Sequence, residues 1–162
     1  MALRTGLQVV IVRPPLVYGP GVGANFRALL RAVARGWPLP LGRIQNRRSL
    51  VGLGNLVHLL TLCASHPAAA GQTFLVSDGD DLSTPELVRQ MAQALNTAPH
   101  LWPVPVGVLH GLGRLAGRSD QVRRVTESLQ IDMGHTQRTL HWQPPFTVAD
   151  ELARTVKHLP SP

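Results

Sequence analysis

An apolar, largely β-branched run, Leu7-Gln-Val-Val-Ile-Val12, passes directly into Arg13-Pro-Pro-Leu-Val-Tyr-Gly-Pro-Gly21, a stretch of nine residues with three prolines and two glycines. Proline has no backbone donor for a sheet ladder and fixes its own φ. A strand formed by the run cannot continue through Pro14 and Pro15, so the chain must leave its sheet there in a stiff, preset direction. Asn25 to Arg35 then shows apolar residues at helical spacing, and Gly36 ends it. Any fold for this chain has to accommodate the order strand, rigid exit, helix.

The same alternation continues downstream. Ser49-Leu-Val51 reads as a short strand, with Asn55 as the cap of a helix that runs to about Ser65 and stops at His66-Pro67. Thr73 to Val76 reads as a strand and Asp78 to Asp81 as a turn. Ser83-Thr-Pro-Glu86 combines a capping box with an early proline, starting a helix through about Leu95. A short extended piece is expected at Leu101 to Val104, then helices at Val106 to Ala116, Val122 to Leu129, Gly134 to Leu140 and Val148 to His158. Strands alternating with helices predict an α/β fold with parallel pairing. With 162 residues, 44% of them apolar, one domain can bury about 70% of the surface of its unfolded chain.

Charge is distributed unevenly. The formal net charge is +7, and no acidic residue precedes Asp78, whereas Arg4, Arg13, Arg27, Arg31, Arg35, Arg43, Arg47 and Arg48 all do. Arginine offers rigid bidentate donors to phosphate, so this half suits an anionic ligand or forms a solvated basic face. Specific nucleic-acid binding is not expected, because no recognition motif accompanies the charge. The single cysteine, Cys63, lies in an apolar helical run and reads as core packing. No apolar run reaches the length of a membrane span and no signal peptide is evident, which predicts a soluble, cytoplasmic chain with no membrane partner.

Motifs for chemistry mostly fail on context. Gly19-x-Gly21-x-x-Ala24 matches a relaxed dinucleotide fingerprint between strand and helix. It lies too far from its strand for a tight turn, however, and no acid follows at the distance that holds a ribose hydroxyl. Gly111-x-Gly113-x-x-Ala116 falls inside a helical pattern, where glycines serve packing. The seven histidines lack metal-ligand spacing, so no metal site is expected. Asp78, Asp80 and Asp81 are explained by turn chemistry. No catalytic residue can be named from spacing.

The ordered segments carry more than any single one. These are Gly6 to Gly21, Ala24-Asn-Phe26, Asn46 to Val51 with Asn55-Leu-Val57, Thr73 to Asp78, Ser83 to Leu87, Leu129-Gln-Ile-Asp132, and Leu140-His-Trp-Gln-Pro144. In that order they resemble the C-terminal half of the NAD-dependent epimerase/dehydratase family, the extended short-chain dehydrogenase/reductases. The last segment looks like the family's Leu-Gly-Trp-x-Pro. The resemblance implies the last strands of a Rossmann-type parallel sheet with a small mixed α/β substrate-binding region, spread over residues 1–162 as one C-terminal portion. It puts Pro14 and Pro15 beside the nicotinamide of NAD(P). Asn25 and Phe26 fall at the diphosphate of a UDP-sugar-like nucleotide-sugar, Leu39 and Leu41 along its base, and Arg48 at the diphosphate again.

Departures qualify these expectations. Gly52 and Gly54 replace an aromatic and an aspartate, which predicts a thinner strand and the loss of an acidic helix cap. Leu16 stands where sugar epimerases often carry asparagine, and Gly134-His-Thr136 replaces a Ser-Lys pattern. The family's N-terminal glycine fingerprint and its Tyr-x-x-x-Lys pair have no counterpart: Tyr18 is followed four residues on by Val22, and Lys157 is preceded four residues earlier by Ala153. Met1 thus matches a point partway through the family's sequence, before its sixth strand. The expected function is the substrate-binding portion of an NAD(P)-dependent nucleotide-sugar epimerase, dehydratase or reductase, without catalysis or cofactor binding by this chain alone. The alternative is a non-catalytic anion- or partner-binding module. An unpaired edge on the Leu7 to Val12 strand predicts self-association, which makes a homo-oligomer one expected partner.

Overall fold

Pro14 and Pro15 stand where the backbone changes sheets. In the computed structural model, which describes residues 8–159, β1 (Ile11–Arg13) runs parallel to β4 (Thr73–Leu75), with Val12 opposite Phe74. Immediately after the prolines, β2 (Leu16–Tyr18) runs parallel to β3 (Leu50–Gly52), with Val17 opposite Val51. The two ladders are separate sheets, and the prolines occupy the gap, where no ladder bond is required. Leu7, the expected start of the first strand, and Arg4 lie outside the described residues.

Parallel pairing needs long crossovers, and helices provide them. α1 (Ala24–Ala34) connects β2 to β3. α2 (Leu53–Ser65) and a 3-10 turn (Pro67–Ala69) connect β3 to β4. The chain continues through α3 (Thr84–Ala94), α4 (Val106–Leu115), α5 (Ser119–Thr126), α6 (Gly134–Leu140) and α7 (Val148–Lys157). The expected α/β class with parallel strands is the one observed.

Each sheet lies against its own apolar cluster. Around β2, Tyr18 stacks on Phe26 with ring centroids 5.4 Å apart, and Leu30, Leu50, Val88, Met91 and Leu152 close the cluster. Around β4, Phe74 and Val76 pack with Val51, Leu59, Cys63, Leu140 and Trp142. Cys63 is core, as expected, and burial pushes its thiol pKa up. Trp142 donates its indole N–H to His58 Nδ1 on α2 at 2.9 Å.

Several local readings hold and several need correction. Ser83 accepts from the Glu86 amide while the Glu86 carboxylate accepts from the Ser83 amide, the reciprocal box that the spacing predicts. Those bonds hold the Glu86 carboxyl below its ordinary pKa. Thr147 and Asp150 form a second box at α7. The cap of α2, however, is Gly52, and Asn55 sits one turn in with its side chain turned to tertiary partners. α5 begins and ends three residues before the expected span, because Arg118 already provides the first helical acceptors. The extended piece expected at Leu101 to Val104 is present and bridges Leu39 through Leu101, and Leu129 makes a single bridge to Arg48.

The two glycines at the start of α2 are filled from elsewhere in the chain. A Cβ on Gly52 would stand 2.2 Å from Glu151 Cγ, and one on Gly54 would stand 2.3 Å from Glu151 Oε1. Glu151 is buried, accepts from the Gly54 amide at 3.1 Å and pairs with Arg154 at 3.0 Å. The expected loss of an acidic cap is therefore corrected: α7 supplies the carboxylate that the first turn of α2 lacks, and the local strand and helix are well formed. Gly54→Ala is expected to destabilise the fold by about 1 to 3 kcal/mol through overpacking. In the Glu151→Ala background that loss should shrink or reverse, a coupling that a denaturant double-mutant cycle reads directly. His141 ends α6 in the left-handed region at φ 49°. Since a Cβ is unfavourable there by about 1 kcal/mol, His141→Gly should raise the melting temperature.

Candidate functional site

Asp78 does more than turn the chain. It is buried, and its Oδ2 accepts the Tyr18 hydroxyl at 2.7 Å. Its Oδ1 accepts the Gly52 amide at 2.8 Å and the Asn55 side-chain amide at 2.7 Å. Asn55 also bonds both backbone groups of Phe146, donating to its oxygen at 2.8 Å and accepting from its nitrogen at 3.0 Å. One carboxylate therefore ties the ends of β2 and β3 to the first turn of α2, and Asn55 carries the tie to the entry of α7. Sequence spacing missed this because the partners lie far apart in the chain.

The other end of the β2–β3 sheet opens into a cleft of about 170 Å³. Asn25, Phe26 and Arg48 all line it, together with Leu16, Leu29, Leu50, Leu82, Leu87, Thr84, Arg124 and Val125. A second hollow of about 330 Å³ lies on the far side of Arg48 and Arg124. Arg48 is half-buried, and its Nη1 donates to the carbonyl oxygens of Arg124 and Glu127. Its backbone joins Leu82 and Leu129. One nitrogen thus anchors the guanidinium, and the rest of its donor fork remains for a ligand. Arg124 is exposed on α5, and sequence reasoning missed it because only the α4–α5 hairpin brings it beside Arg48.

Two helices start at this cleft with opposite states. The first amides of α3 are occupied: Ser83 donates to Glu86, and Thr84 donates to the Asn46 side chain at 2.9 Å. α1 begins after Gly23 with no side-chain cap bond and no acid in its first turn. The amides of Asn25 and Phe26 are thus open, the state in which a helix N-terminus attracts an anion.

The remaining predicted residues fall elsewhere. Leu39 and Leu41 are half-buried against the Tyr18 cluster and do not line the cleft. Pro14 is exposed and Pro15 half-buried at the break between sheets. A larger hollow, about 700 Å³, is an open apolar groove along α2 whose charged members, Glu151 and Arg154, are already paired to each other. The cleft is the better candidate, because among the described residues its two arginines make no ion pair and the helix amides beside them are open.

The residues present do not fit a dinucleotide by themselves. A Cβ on Gly19 would stand 2.7 Å from Leu53 Cβ, so that glycine serves packing, and Gly113 is likewise pressed on Val122 of α5. Arg27 donates to the Val22 carbonyl at 2.9 Å, closing the Gly19 loop on itself. Among the described residues, no three His, Cys, Asp or Glu side chains are arranged to hold a metal ion, and no helix is long and apolar enough to cross a membrane.

No family model matches the chain. A UDP-glucose 4-epimerase of Vibrio cholerae is 49% identical over 158 residues, 97% of this chain and 48% of that protein. The N-acetyl-α-D-glucosaminyl-diphospho-ditrans,octacis-undecaprenol 4-epimerase of Escherichia coli O157:H7 is 26% identical over 95% of this chain and 50% of that protein. The chain thus spans about half the length of the curated relatives it matches. The solved UDP-glucuronic acid 4-epimerase of Bacillus cereus, in complex with NAD, shares its fold with a TM-score of 0.70 at 12% identity, over 98% of this chain and 46% of that one. The chain is similar in sequence to these epimerases, and shares the Rossmann-type α/β fold of the NAD-dependent epimerases and dehydratases, over the half of those proteins that it spans.

Tyr18 is the only tyrosine. Burial, then the charge and hydrogen bond of Asp78, push its pKa far above the ordinary value. The neutral phenol is favoured in the folded state, so its stabilisation is complete below the unfolded value of about 10 and is lost as pH rises beyond it. Tyrosinate absorbance should therefore appear only together with loss of the far-UV helical signal. Ionisation preceding unfolding would contradict the buried bond. Tyr18→Phe should cost about 1.5 to 3 kcal/mol in urea unfolding.

Proposed function

We propose that the cleft lined by Asn25, Phe26, Arg48 and Arg124 binds the diphosphate of a nucleotide-sugar, and that the chain is the substrate-binding portion of an NAD(P)-dependent nucleotide-sugar epimerase, dehydratase or reductase. One observation carries this reading: residues named separately in the sequence, Asn25, Phe26 and Arg48, line a single cleft, where a second arginine and the open amides of α1 join them. Guanidinium forks and helix amides are the donors a diphosphate accepts from. The names of the relatives support it as well. A UDP-sugar appears in two, and the third carries its sugar on a diphosphate.

Leu16, where sugar epimerases often carry asparagine, makes the neighbouring wall apolar, so hexose 4-epimerisation in particular is not claimed. The nucleotide base is assigned to the Leu39 to Gly42 segment on resemblance alone. In the same way, Pro14 and Pro15 would border the nicotinamide of NAD(P), which supplies hydride transfer when bound. The chain's own residues point to binding without chemistry. Tyr18, its only tyrosine, is buried against Asp78, and Lys157, its only lysine, is exposed at the end of α7. That observation keeps a non-catalytic anion- or partner-binding module as the second reading.

Calorimetric titration with UDP tests the site. Arg48→Ala should weaken binding by about 1.5 to 3 kcal/mol, the range for hydrogen bonds to a charged group. Arg35→Ala, whose guanidinium lies 5.4 Å from the Trp37 ring centroid and outside the cleft, should change little. Equal losses from both would leave only bulk charge and contradict the proposal.

A further inference from the structure

α4 presents apolar side chains on two of its faces. At roughly 100° per residue, Leu109 and Gly113 share one face, and Val108, Leu112 and Leu115 share another, about 110° round the helix. The first face is buried, with Gly113 pressed on Val122 of α5. The second faces solvent: Val108 is 49% exposed, Leu112 59% and Leu115 88%. Among the described residues, α4 packs chiefly on α5, which leaves this stripe exposed. Beside it stand Arg114 on the helix flank and Arg118 in the turn to α5, both exposed. Between Val106 and Thr126 the chain has four arginines against one acid, Asp120. Trp102, 61% exposed, lies in the segment leading into the helix.

We propose that this face of α4 docks on an anionic lipid surface, with the helix lying in the plane of the interface. An apolar stripe flanked by arginine has the composition of an interfacial helix. Its 10 residues reach about 15 Å, half the hydrocarbon thickness, so it lies on a bilayer and does not cross it. A second copy fits less well. Three side chains on so short a helix fall short of the roughly 800 Å² per partner of a stable interface, and two-fold pairing would bring the arginines of both copies together. Anionic headgroups complement those same arginines. Such docking would stand against the expectation of no membrane partner, which the vesicle experiment below tests. It would hold the cleft at the lipid surface, since α5 carries Arg124 and Val125. The docking itself does not depend on what the cleft binds.

Vesicle co-sedimentation of the purified chain decides it. The chain should pellet with vesicles of about three parts phosphatidylglycerol to seven of phosphatidylcholine, and not with phosphatidylcholine alone. Leu112→Glu/Leu115→Glu should abolish pelleting. Arg114→Gln/Arg118→Gln should weaken it about thirty-fold, the effect of two basic side chains near an anionic surface. All four positions are exposed, so melting temperatures should stay at the wild-type value. Leu115→Glu alone provides the same reading if the double variant unfolds. No binding to the anionic vesicles, equal binding to neutral ones, or undiminished binding by the glutamate variants would overturn the proposal. A dimer in light scattering that the glutamate variants dissolve, without vesicle binding, would assign the face to a second copy.

Discussion

The Asp78 carboxylate is the interaction on which the rest of the fold depends. A buried anion is tolerated only when its acceptor sites are filled, and three donors fill them: the Tyr18 hydroxyl, the Gly52 amide and the Asn55 side chain. Two of these donors end strands, and the third lies in the first turn of α2. The two short sheets, which share no ladder, are joined through this charge, since Asp78 follows β4 while Tyr18 and Gly52 end β2 and β3. Three-residue strands make few ladder bonds of their own, so charge-assisted bonds at their ends set the register.

At the opposite end of the β2–β3 sheet, Asp81 plays a lesser version of the same part. Its carboxylate accepts from Ser49 and from Gln130, its backbone oxygen accepts from Arg47, and Ser49 in turn accepts from the Ile131 amide. These bonds surround Arg48 and fix the backbone from which its side chain reaches the cleft. The two aspartates thus hold the two ends of one sheet, and the candidate site lies at the end where cationic side chains and open amides remain unpaired.

The local part of this design was legible in the sequence and the distant part was not. Pro14 and Pro15 announced the break between sheets because proline's restriction acts on its own residue. Ser83 and Glu86 announced α3 because both partners of the box lie within one turn. Asn55 was read as a cap on the same logic, yet its partners are Asp78 and Phe146, which propensity cannot see. Gly52 and Gly54 read as losses when taken alone. Glu151, nearly a hundred positions away, occupies the space they leave and restores the missing carboxylate. For the candidate site, Asn25, Phe26 and Arg48 came from ordered resemblance, whereas Arg124 required the α4–α5 hairpin, whose path across the cleft is a tertiary fact.

The central claim is that a diphosphate ligand enters between α1 and the Arg48 bridge. Amide-resolved NMR of the chain titrated with UDP tests it most directly. The account predicts saturable shifts concentrated at Asn25, Phe26, Arg48 and Arg124, with the first residues of α2 unmoved. Shifts confined to the groove along α2, or uniform small shifts across the arginine-rich surface, would contradict it.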